Sequence, residues 1–152
     1  EPFVVTLEFL QNLLERKGKL IAVGTTSVRT LESLYYMGVK CIEGGAPADV
    51  DQWDPYVRDY PYTLQESIEA IIEYLKSNSL NELQLGTRII IVPGSSFKVV
   101  DVLVTNFHQP QSTLLLLISA FVKGDWKKIY DHALANEFRF LSYGDSSVLF
   151  RN

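Results

Sequence analysis

Three short, continuous apolar runs constrain the fold of this chain more than any other feature. They are "KLIAVG" (residues 19–24), "TRIIIVPG" (87–94) and "FKVVDVLVTNF" (97–107). Runs that are apolar at successive positions predict strands buried on both faces. Segments of helical period precede the first run, separate the first run from the second, and follow the third. Alternating strands and helices predict an α/β fold, here a three-layer α/β/α sandwich with a mostly parallel sheet.

The helices are predicted from apolar stripes and from residues that start or stop a helix. Gly18 and Gly38 are expected to end the first two helices. Thr63 and Glu66 form a T-x-x-E capping box ahead of the third helix, and Asp125 is expected to cap the last one. The predicted helices are residues 6–17, 26–37, a segment following Thr63, 112–122 and 125–135.

The remaining segments predict the organisation of the chain as one α/β domain over residues 1–152. Residues 43–62 show no period and predict a long loop, and residues 138–150 predict two short strands around a Gly-Asp turn. Residues 19–24 and 88–92 are expected to be neighbouring central strands. The chain opens with a helix and without an obvious first strand, which predicts a fragment of a larger two-domain enzyme.

Composition excludes several classes of protein. The single Cys41 excludes an internal disulfide and a cysteine-based zinc site. The longest apolar run is about half of the roughly 20 residues that a membrane span needs, and no leader segment opens the chain. A soluble, intracellular protein without a membrane partner is predicted. The net charge is −4, but residues 1–85 carry −6 and residues 86–152 carry +2, so a polyanion should favour the C-terminal half.

Two strand-to-helix junctions carry the candidate site. The first has Gly24 at the end of a strand and Thr25, Thr26 and Ser27 at the start of a helix, where free N–H groups and hydroxyls suit an anionic or polar ligand. Ligands of α/β sheets bind beyond the carboxyl ends of strands. Arg29, one turn further on, is either a binding residue or half of a surface pair with the glutamate at position 32.

The second junction is "TNFHQPQST". Alternation along a strand predicts that Asn106 and His108 point the same way, Pro110 ends the strand, and Ser112 and Thr113 start the next helix. His108 is either a catalytic group or a histidine that ties the turn to the sheet. Parallel strands would bring both junctions to one edge of the sheet.

Four further residues are singled out as candidates, and one is set aside. Asp101 is a carboxylate in an apolar strand and needs a partner; it joins His108 and Asn106 as a candidate catalytic residue. Lys98 is a candidate substrate-binding residue. Tyr143 and Asp145 become candidates if their turn reaches the same edge of the sheet. His132 is interpreted as a surface residue.

Several long motifs in order resemble the C-terminal half of the S-adenosylmethionine:tRNA ribosyltransferase-isomerase family. The matching stretches are "IAVGTTSVRTLES", "VPG", "FKVVDVLVTNFHQPQSTLLLLISAF" and "FRFLSYGD". They cover most of the chain outside residues 43–62 and the region of Leu80. The resemblance implies that an N-terminal half, including a β-barrel insertion, is missing here. Two positions depart from the family pattern: Ser95-Ser96 replace a usual aromatic residue, and Gln109 replaces a frequent leucine.

The resemblance also implies a reaction in queuosine biosynthesis. The ribosyl group of S-adenosylmethionine is transferred to 7-aminomethyl-7-deazaguanine at the tRNA wobble position and isomerised, giving epoxyqueuosine, adenine and methionine. The sulfonium acidifies the adjacent ribose carbon, so that a general base can start the reaction. S-adenosylmethionine is a co-substrate, with no other cofactor and no metal, and a monomeric cytoplasmic enzyme is expected. The alternatives are a noncatalytic RNA-binding module of the same family and an unrelated α/β enzyme acting on a phosphorylated metabolite.

Overall fold

The structure is a computed structural model that describes residues 1–151, and it divides into two compact units. The first unit contains residues 1–18 and 29–89, and the second contains residues 19–28 and the chain from residue 90 onward. The elements are, in chain order, β1 (Pro2–Thr6), α1 (Leu7–Glu15), β2 (Ile21–Val23), α2 (Thr25–Gly44), α3 (Leu64–Ser77), β3 (Glu82–Gly86), β4 (Val102–Asn106), α4 (Thr113–Phe121), α5 (Trp126–Ala135) and β5 (Ser146–Phe150).

The first unit combines a two-stranded antiparallel sheet, β1 with β3, with α1, α3 and most of α2. Thr63 accepts a hydrogen bond from the Glu66 N–H (3.1 Å), and the Glu66 carboxylate accepts one from the Thr63 N–H (2.6 Å). The predicted capping box is therefore confirmed. Below it, Ile68, Ile71 and Leu75 lie on one face of α3 and are fully buried. Strands β1 and β3 were not predicted, so the expectation that no strand precedes the first helix is wrong.

The sequence predicts that Gly38 ends the second helix, and this prediction is wrong. Helix α2 continues to Gly44, and Gly38 lies where the helix meets α3. A Cβ atom at this position would stand 2.2 Å from the backbone oxygen of Ser67. The glycine is required for the close approach of two helices rather than for a helix end.

Residues 45–62 are irregular apart from one 3₁₀ turn, Asp54–Tyr56, yet they are tied to the first unit by hydrogen bonds. The Tyr35 hydroxyl donates to the backbone oxygen of Tyr62 (2.7 Å), and the Tyr60 hydroxyl donates to that of Asp54 (2.6 Å). The Lys40 ammonium forms an ion pair with Asp54 (2.7 Å). These contacts give an irregular segment a defined path.

The second unit contains a three-stranded sheet in the order β2-β4-β5. Strands β2 and β4 are parallel, with Ile21 opposite Val102 and Val23 opposite Val104. Strands β4 and β5 are antiparallel, with Asn106 opposite Ser146. The chain is thus an α/β protein with mixed sheets, and the expected mostly parallel sheet is wrong because one of the three strand pairs among the described residues is parallel.

The second apolar run accounts for much of this error. Residues 88–92 form no strand, and Thr87 makes only an isolated bridge to Val50. Ile89 and Ile91 are nevertheless buried, so an apolar run can fill a core without joining a ladder. The neighbour of β2 is β4, and the expected pairing of residues 19–24 with 88–92 is wrong.

The first apolar run, residues 19–24, is expected to be a strand buried on both faces, and the exposure of its side chains corrects this expectation. Ala22 is buried, but Ile21 and Val23 are 59% and 69% exposed, so β2 is covered on one face in this structure. The two strands predicted over residues 138–150 reduce to one, β5, which pairs with β4. Helices α4 and α5 agree with their predicted ranges. No helix in the described part of the chain is long and apolar enough to cross a bilayer.

Candidate active site at the carboxyl edge of the second sheet

The parallel pairing of β2 and β4 brings the two strand-to-helix junctions to one edge, as the sequence predicted. The Gly24 N–H donates to the Val104 carbonyl (2.8 Å) and so extends the ladder by one residue beyond β2. Gly24 has φ +91°, which favours glycine, and α2 begins at the next residue. By register Gly24 lies beside Thr105, and neighbouring strands are about 4.8 Å apart. We call this region the carboxyl edge.

The start of α2 presents unused backbone donors at the carboxyl edge. The first helical hydrogen bond recorded here runs from the Val28 N–H to the Gly24 oxygen (3.3 Å). The N–H groups of Thr25, Thr26 and Ser27 precede it and have no acceptor within the helix. Thr25 is buried, whereas Thr26 is exposed and Ser27 is half-buried. A helix start with exposed hydroxyls can bind an anionic group such as a carboxylate.

His108 lies at the same edge and is held at two points. Its Nε2 atom is 3.0 Å from the hydroxyl oxygen of the buried Thr105, and its backbone N–H donates to the Tyr130 hydroxyl (3.0 Å). The residue is half-buried, and burial lowers the pKa of the imidazole from its ordinary value. The ring is therefore neutral near pH 7, the form in which it can accept a proton.

Asn106 and His108 do not point the same way, which corrects the prediction from alternation. Strand β4 ends at Asn106, so its alternation does not extend to His108. The His108 ring reaches Thr105, whose side chain lies on the sheet face opposite to that of Asn106. Asn106 instead donates to the Leu141 carbonyl (3.0 Å) and accepts from the Ser146 hydroxyl (3.1 Å).

The turn over residues 139–145 is fastened to the end of β4. The Leu141 N–H donates to the Phe107 carbonyl (2.9 Å), and the Leu141 carbonyl accepts the Asn106 amide. Leu141 has φ +68°, a left-handed conformation that costs a non-glycine residue about 1–2 kcal/mol. The turn that carries Tyr143 and Asp145 therefore does reach the carboxyl edge.

Within this turn, Asp145 is engaged in hydrogen bonds, whereas Tyr143 is exposed to solvent. Asp145 accepts hydrogen bonds from the Arg139 N–H (2.7 Å) and from its guanidinium (3.2 Å). These bonds lower the pKa of the Asp145 carboxyl and hold the turn closed. Tyr143 is 98% exposed, so its ring is open to a ligand.

The segment that follows His108 starts α4. The Ser112 hydroxyl accepts from the Leu114 N–H (3.1 Å) and caps the helix, and Thr113 is its first residue. Gln111 has φ +64°, a second strained non-glycine residue near the edge. The predicted role of Ser112 in starting the helix is confirmed.

Asp101 and Lys98 lie at the opposite end of β4. Asp101 accepts from the Leu20 N–H (2.8 Å), directly before β2, and pairs with Arg151 (3.1 Å), directly after β5. Asp101 and Asn106 are five residues apart along the strand, or about 16 Å, since each residue advances about 3.3 Å. The structure therefore does not bring Asp101 together with Asn106 and His108, and its contacts describe a structural residue. Lys98 precedes Asp101 and is half-buried.

Arg29 belongs to the first unit, apart from the other candidates. Its guanidinium donates to the Ile89 carbonyl (3.0 Å) and to the Glu1 carboxylate (2.7 Å). The glutamate at position 32 is buried, which contradicts the alternative of a surface pair. We therefore leave Arg29 and Lys98 out of the carboxyl edge.

Sequence reasoning missed three residues that shape this edge. Thr105 was overlooked although a hydroxyl before Asn106 at a strand end is visible in the sequence. Tyr130 binds the His108 backbone across 22 residues, and no local pattern indicates that contact. The left-handed conformation of Leu141 was equally unpredictable, because leucine rarely adopts it.

The chemistry available at the carboxyl edge is acid–base and anion binding. A neutral imidazole, a helix start with hydroxyls and an exposed phenol lie on or beside it. Among residues 1–151, no group of three or more His, Cys, Asp or Glu side chains is placed to hold a metal ion. His132 is exposed, as predicted.

Comparison with known proteins assigns the family. A sequence model described as "Queuosine biosynthesis protein" matches residues 4–149. An S-adenosylmethionine:tRNA ribosyltransferase-isomerase from Rhodopseudomonas palustris (strain BisA53) is 38% identical over 136 residues, which are 89% of this chain and 27% of that protein. The protein of the same name from Francisella tularensis subsp. tularensis (strain WY96-3418) is 35% identical, over 99% of this chain and 34% of its own length.

A solved structure agrees with these relatives. The crystal structure of S-adenosylmethionine tRNA ribosyltransferase from Thermotoga maritima aligns with a TM-score of 0.64 and 30% identity, covering 97% of this chain and 40% of that one. The chain spans about a third of the length of the curated relatives. The alternative of an unrelated α/β enzyme is excluded. The chain belongs to the queuosine biosynthesis protein family.

Proposed function

We propose that this chain forms part of an S-adenosylmethionine:tRNA ribosyltransferase-isomerase, as the names of its relatives suggest. The reaction is the one implied by the resemblance: the ribosyl group of S-adenosylmethionine moves to 7-aminomethyl-7-deazaguanine of tRNA and rearranges to epoxyqueuosine. The chain then works within a longer polypeptide of about its relatives' length, in the cytoplasm. Its partners are S-adenosylmethionine as the only co-substrate and tRNA. The observation that carries the proposal is the meeting of both junctions at the carboxyl edge.

S-adenosylmethionine is proposed to bind with its methionine carboxylate at the start of α2. The N–H groups of Thr25, Thr26 and Ser27 and the positive end of a 20-residue helix favour that charge. Gly24 has no side chain, so the ligand can approach the backbone closely. Tyr143 lies on the turn held at this edge and is proposed to contact the rest of the ligand.

His108 is proposed as the base that removes a proton from the ribose carbon next to the sulfonium. For this role Nε2 carries the ring proton and donates to the Thr105 hydroxyl, which leaves the lone pair of Nδ1 free. Burial keeps the imidazole neutral, so the lone pair is available near pH 7. Thr105 is then a positioning residue, because it sets the tautomer and the orientation of the ring.

Asn106 is proposed to position the 139–145 turn rather than to contact the ribose. Its amide uses the Leu141 carbonyl and the Ser146 hydroxyl, which occupies both of its ends. Ser112 and Thr113 hold the start of α4 beside His108. Asp145 keeps the turn closed through Arg139.

Substitution of Thr26 by valine tests the proposed ligand site. Thr26→Val keeps a β-branched side chain and removes the hydroxyl, and we expect the affinity for S-adenosylmethionine to fall about 10-fold, since a hydrogen bond to a charged group is lost. Thr30→Val, the same change one turn further along α2, is the matched control and should leave the affinity unchanged. Isothermal titration of the full-length enzyme with S-adenosylmethionine measures both. Equal affinities for all three proteins would contradict the proposed site.

A further inference from the structure

A groove in the second unit is not used by the proposed reaction. It has a volume of about 600 Å³ and runs between the outer edge of β5 and α5. β5 stands at one end of the strand order, so half of its backbone N–H and C=O groups point away from β4 and towards the groove. Its side chains line one wall, and Lys128, Ile129 and His132 of α5 line the other.

Two partly exposed phenylalanines line this groove. Phe150 is 60% exposed and Phe138 is 37% exposed. Phe138 is fixed in place, because its ring contacts those of Phe107 (centroids 5.7 Å apart) and His132 (5.8 Å). Exposed rings on a rigid support are what proteins use to stack single-stranded bases, since every base has a π-face.

Cationic groups lie beside the rings. Lys19 places its ammonium 5.6 Å from the centroid of Phe150, and Lys128 reaches the groove from α5. The Lys128 side chain is 86% exposed and forms an ion pair with Asp125 (3.2 Å). Because both side chains are exposed, this pair is weak and can be replaced by a pair with a phosphate. Ser146 and Ser147 line the groove at the far end of the strand, where their hydroxyls donate to Asn106 (3.1 Å) and to the Thr105 carbonyl (3.2 Å).

The charge of the second unit favours a polyanion over a peptide strand. Residues 19–28 and 90–152 carry seven Lys and Arg against five Asp and Glu, a balance of +2, whereas the first unit carries −6. A peptide that added a strand to the sheet would bind through the open backbone edge of β5 and would not require exposed rings or ammonium groups. The combination of exposed rings and ammonium groups fits a base attached to a phosphate.

We propose that this groove binds one unpaired nucleotide of the tRNA, with its base against Phe150 and its phosphate at Lys128. The inference rests on the proposed function, because it takes tRNA to be the substrate. It adds a binding site for the RNA that is separate from the helix start assigned to S-adenosylmethionine.

The test measures equilibrium binding of the full-length enzyme to two fluorescent RNAs: a hairpin with an unpaired loop, and a blunt duplex of the same composition. We expect the hairpin to bind more tightly than the duplex. Phe150→Leu keeps an apolar side chain but cannot stack, and should weaken hairpin binding about 10-fold without changing duplex binding. Phe150→Trp should restore it. Trp53→Leu, which changes an exposed aromatic residue outside the groove, is the matched control.

Charge variants of α5 test the phosphate contact. Lys128→Gln should weaken hairpin binding about 5-fold and lower the slope of affinity against salt by about 0.7, the value for one single-strand phosphate. Lys127→Gln removes the same charge one residue away, outside the groove lining, and should have a clearly smaller effect. Asp125→Asn frees Lys128 from its partner and should tighten binding.

The inference is overturned if the unaltered enzyme does not prefer the hairpin, or if Phe150→Leu binds it as tightly as the unaltered enzyme. It is also overturned if the enzyme forms dimers that Phe150→Leu dissociates, because the groove then holds a strand of a second copy. The affinity of the enzyme for S-adenosylmethionine, measured by titration without RNA, tests the proposed ligand site independently of the groove. Failure of the Thr26→Val prediction alone contradicts the ligand site, and failure of the RNA result alone contradicts the groove.

Discussion

Replacement of Asn106 by alanine should release the 139–145 turn from the end of β4. The substitution removes two hydrogen bonds, to the Leu141 carbonyl (3.0 Å) and from the Ser146 hydroxyl (3.1 Å). At about 0.5–1.5 kcal/mol each, their loss lowers the free energy of unfolding by about 1–3 kcal/mol. Asn106 is half-buried, and release of the strained Leu141 recovers part of this energy, so we expect a loss of about 1–2 kcal/mol.

Urea denaturation with linear extrapolation measures this loss, with Ser146→Ala as the matched single-bond variant. Ser146→Ala should cost about half as much, and the double variant should cost less than the sum, because both changes remove the same bond. Hydrogen exchange at the Leu141 amide should also accelerate in Asn106→Ala. A stability within about 0.3 kcal/mol of the unaltered chain, with unchanged exchange at Leu141, would refute the positioning role and return Asn106 to the candidate ligand contacts.

Two further predictions concern packing and pH. Gly38→Ala should lower the free energy of unfolding by about 1–2 kcal/mol, because a Cβ 2.2 Å from the Ser67 oxygen costs more than the roughly 1 kcal/mol that alanine gains in a helix. Thermal and urea unfolding measure this loss. Gly18→Ala is the control and should change the free energy little, because a Cβ at Gly18 meets nothing within 4 Å. His108 has a pKa lowered by burial, so its contribution to stability is complete above the unfolded value near 6.5 and is lost as the pH falls through the folded value. Unfolding free energies measured from pH 8 to pH 5 should fall less steeply in His108→Gln than in the unaltered chain, and equal slopes would contradict the shift.

The sequence predicted features that depend on local chemistry. The capping box at Thr63, the glycine turn at Gly24 and the cap at Ser112 are all confirmed, because each is decided by residues within one turn of each other. The shared edge of β2 and β4 was also predicted, from two strand ends and the expectation of parallel pairing.

The errors arise where distant residues decide the outcome. Ile89 and Ile91 are as apolar as a central strand, yet they are buried without a ladder, and only the tertiary structure distinguishes these cases. Gly38 has the sequence signature of a helix end, but it is a glycine because the carbonyl of Ser67, 29 positions later, packs against it. The sequence places Asp101 with His108 because a carboxylate in an apolar strand is unusual, but its partner Arg151 lies 50 residues away in the chain, at the other end of β4.

Turnover by His108→Gln in the full-length enzyme tests most directly whether the carboxyl edge carries the chemistry of ribosyl transfer. The assay is adenine release from S-adenosylmethionine in the presence of the tRNA substrate, at saturating concentrations of both. Tyr130→Phe is the control, since it removes the hydroxyl that holds the His108 backbone but keeps the imidazole.

We expect His108→Gln to lose roughly 10²-fold or more in kcat while its melting temperature stays near that of the unaltered enzyme. Tyr130→Phe should lose stability, by about 1 kcal/mol for one hydrogen bond, and keep most of its turnover. A His108→Gln enzyme that melts early but turns over at the normal rate while folded would contradict the account and make His108 a structural tie between the turn and the sheet.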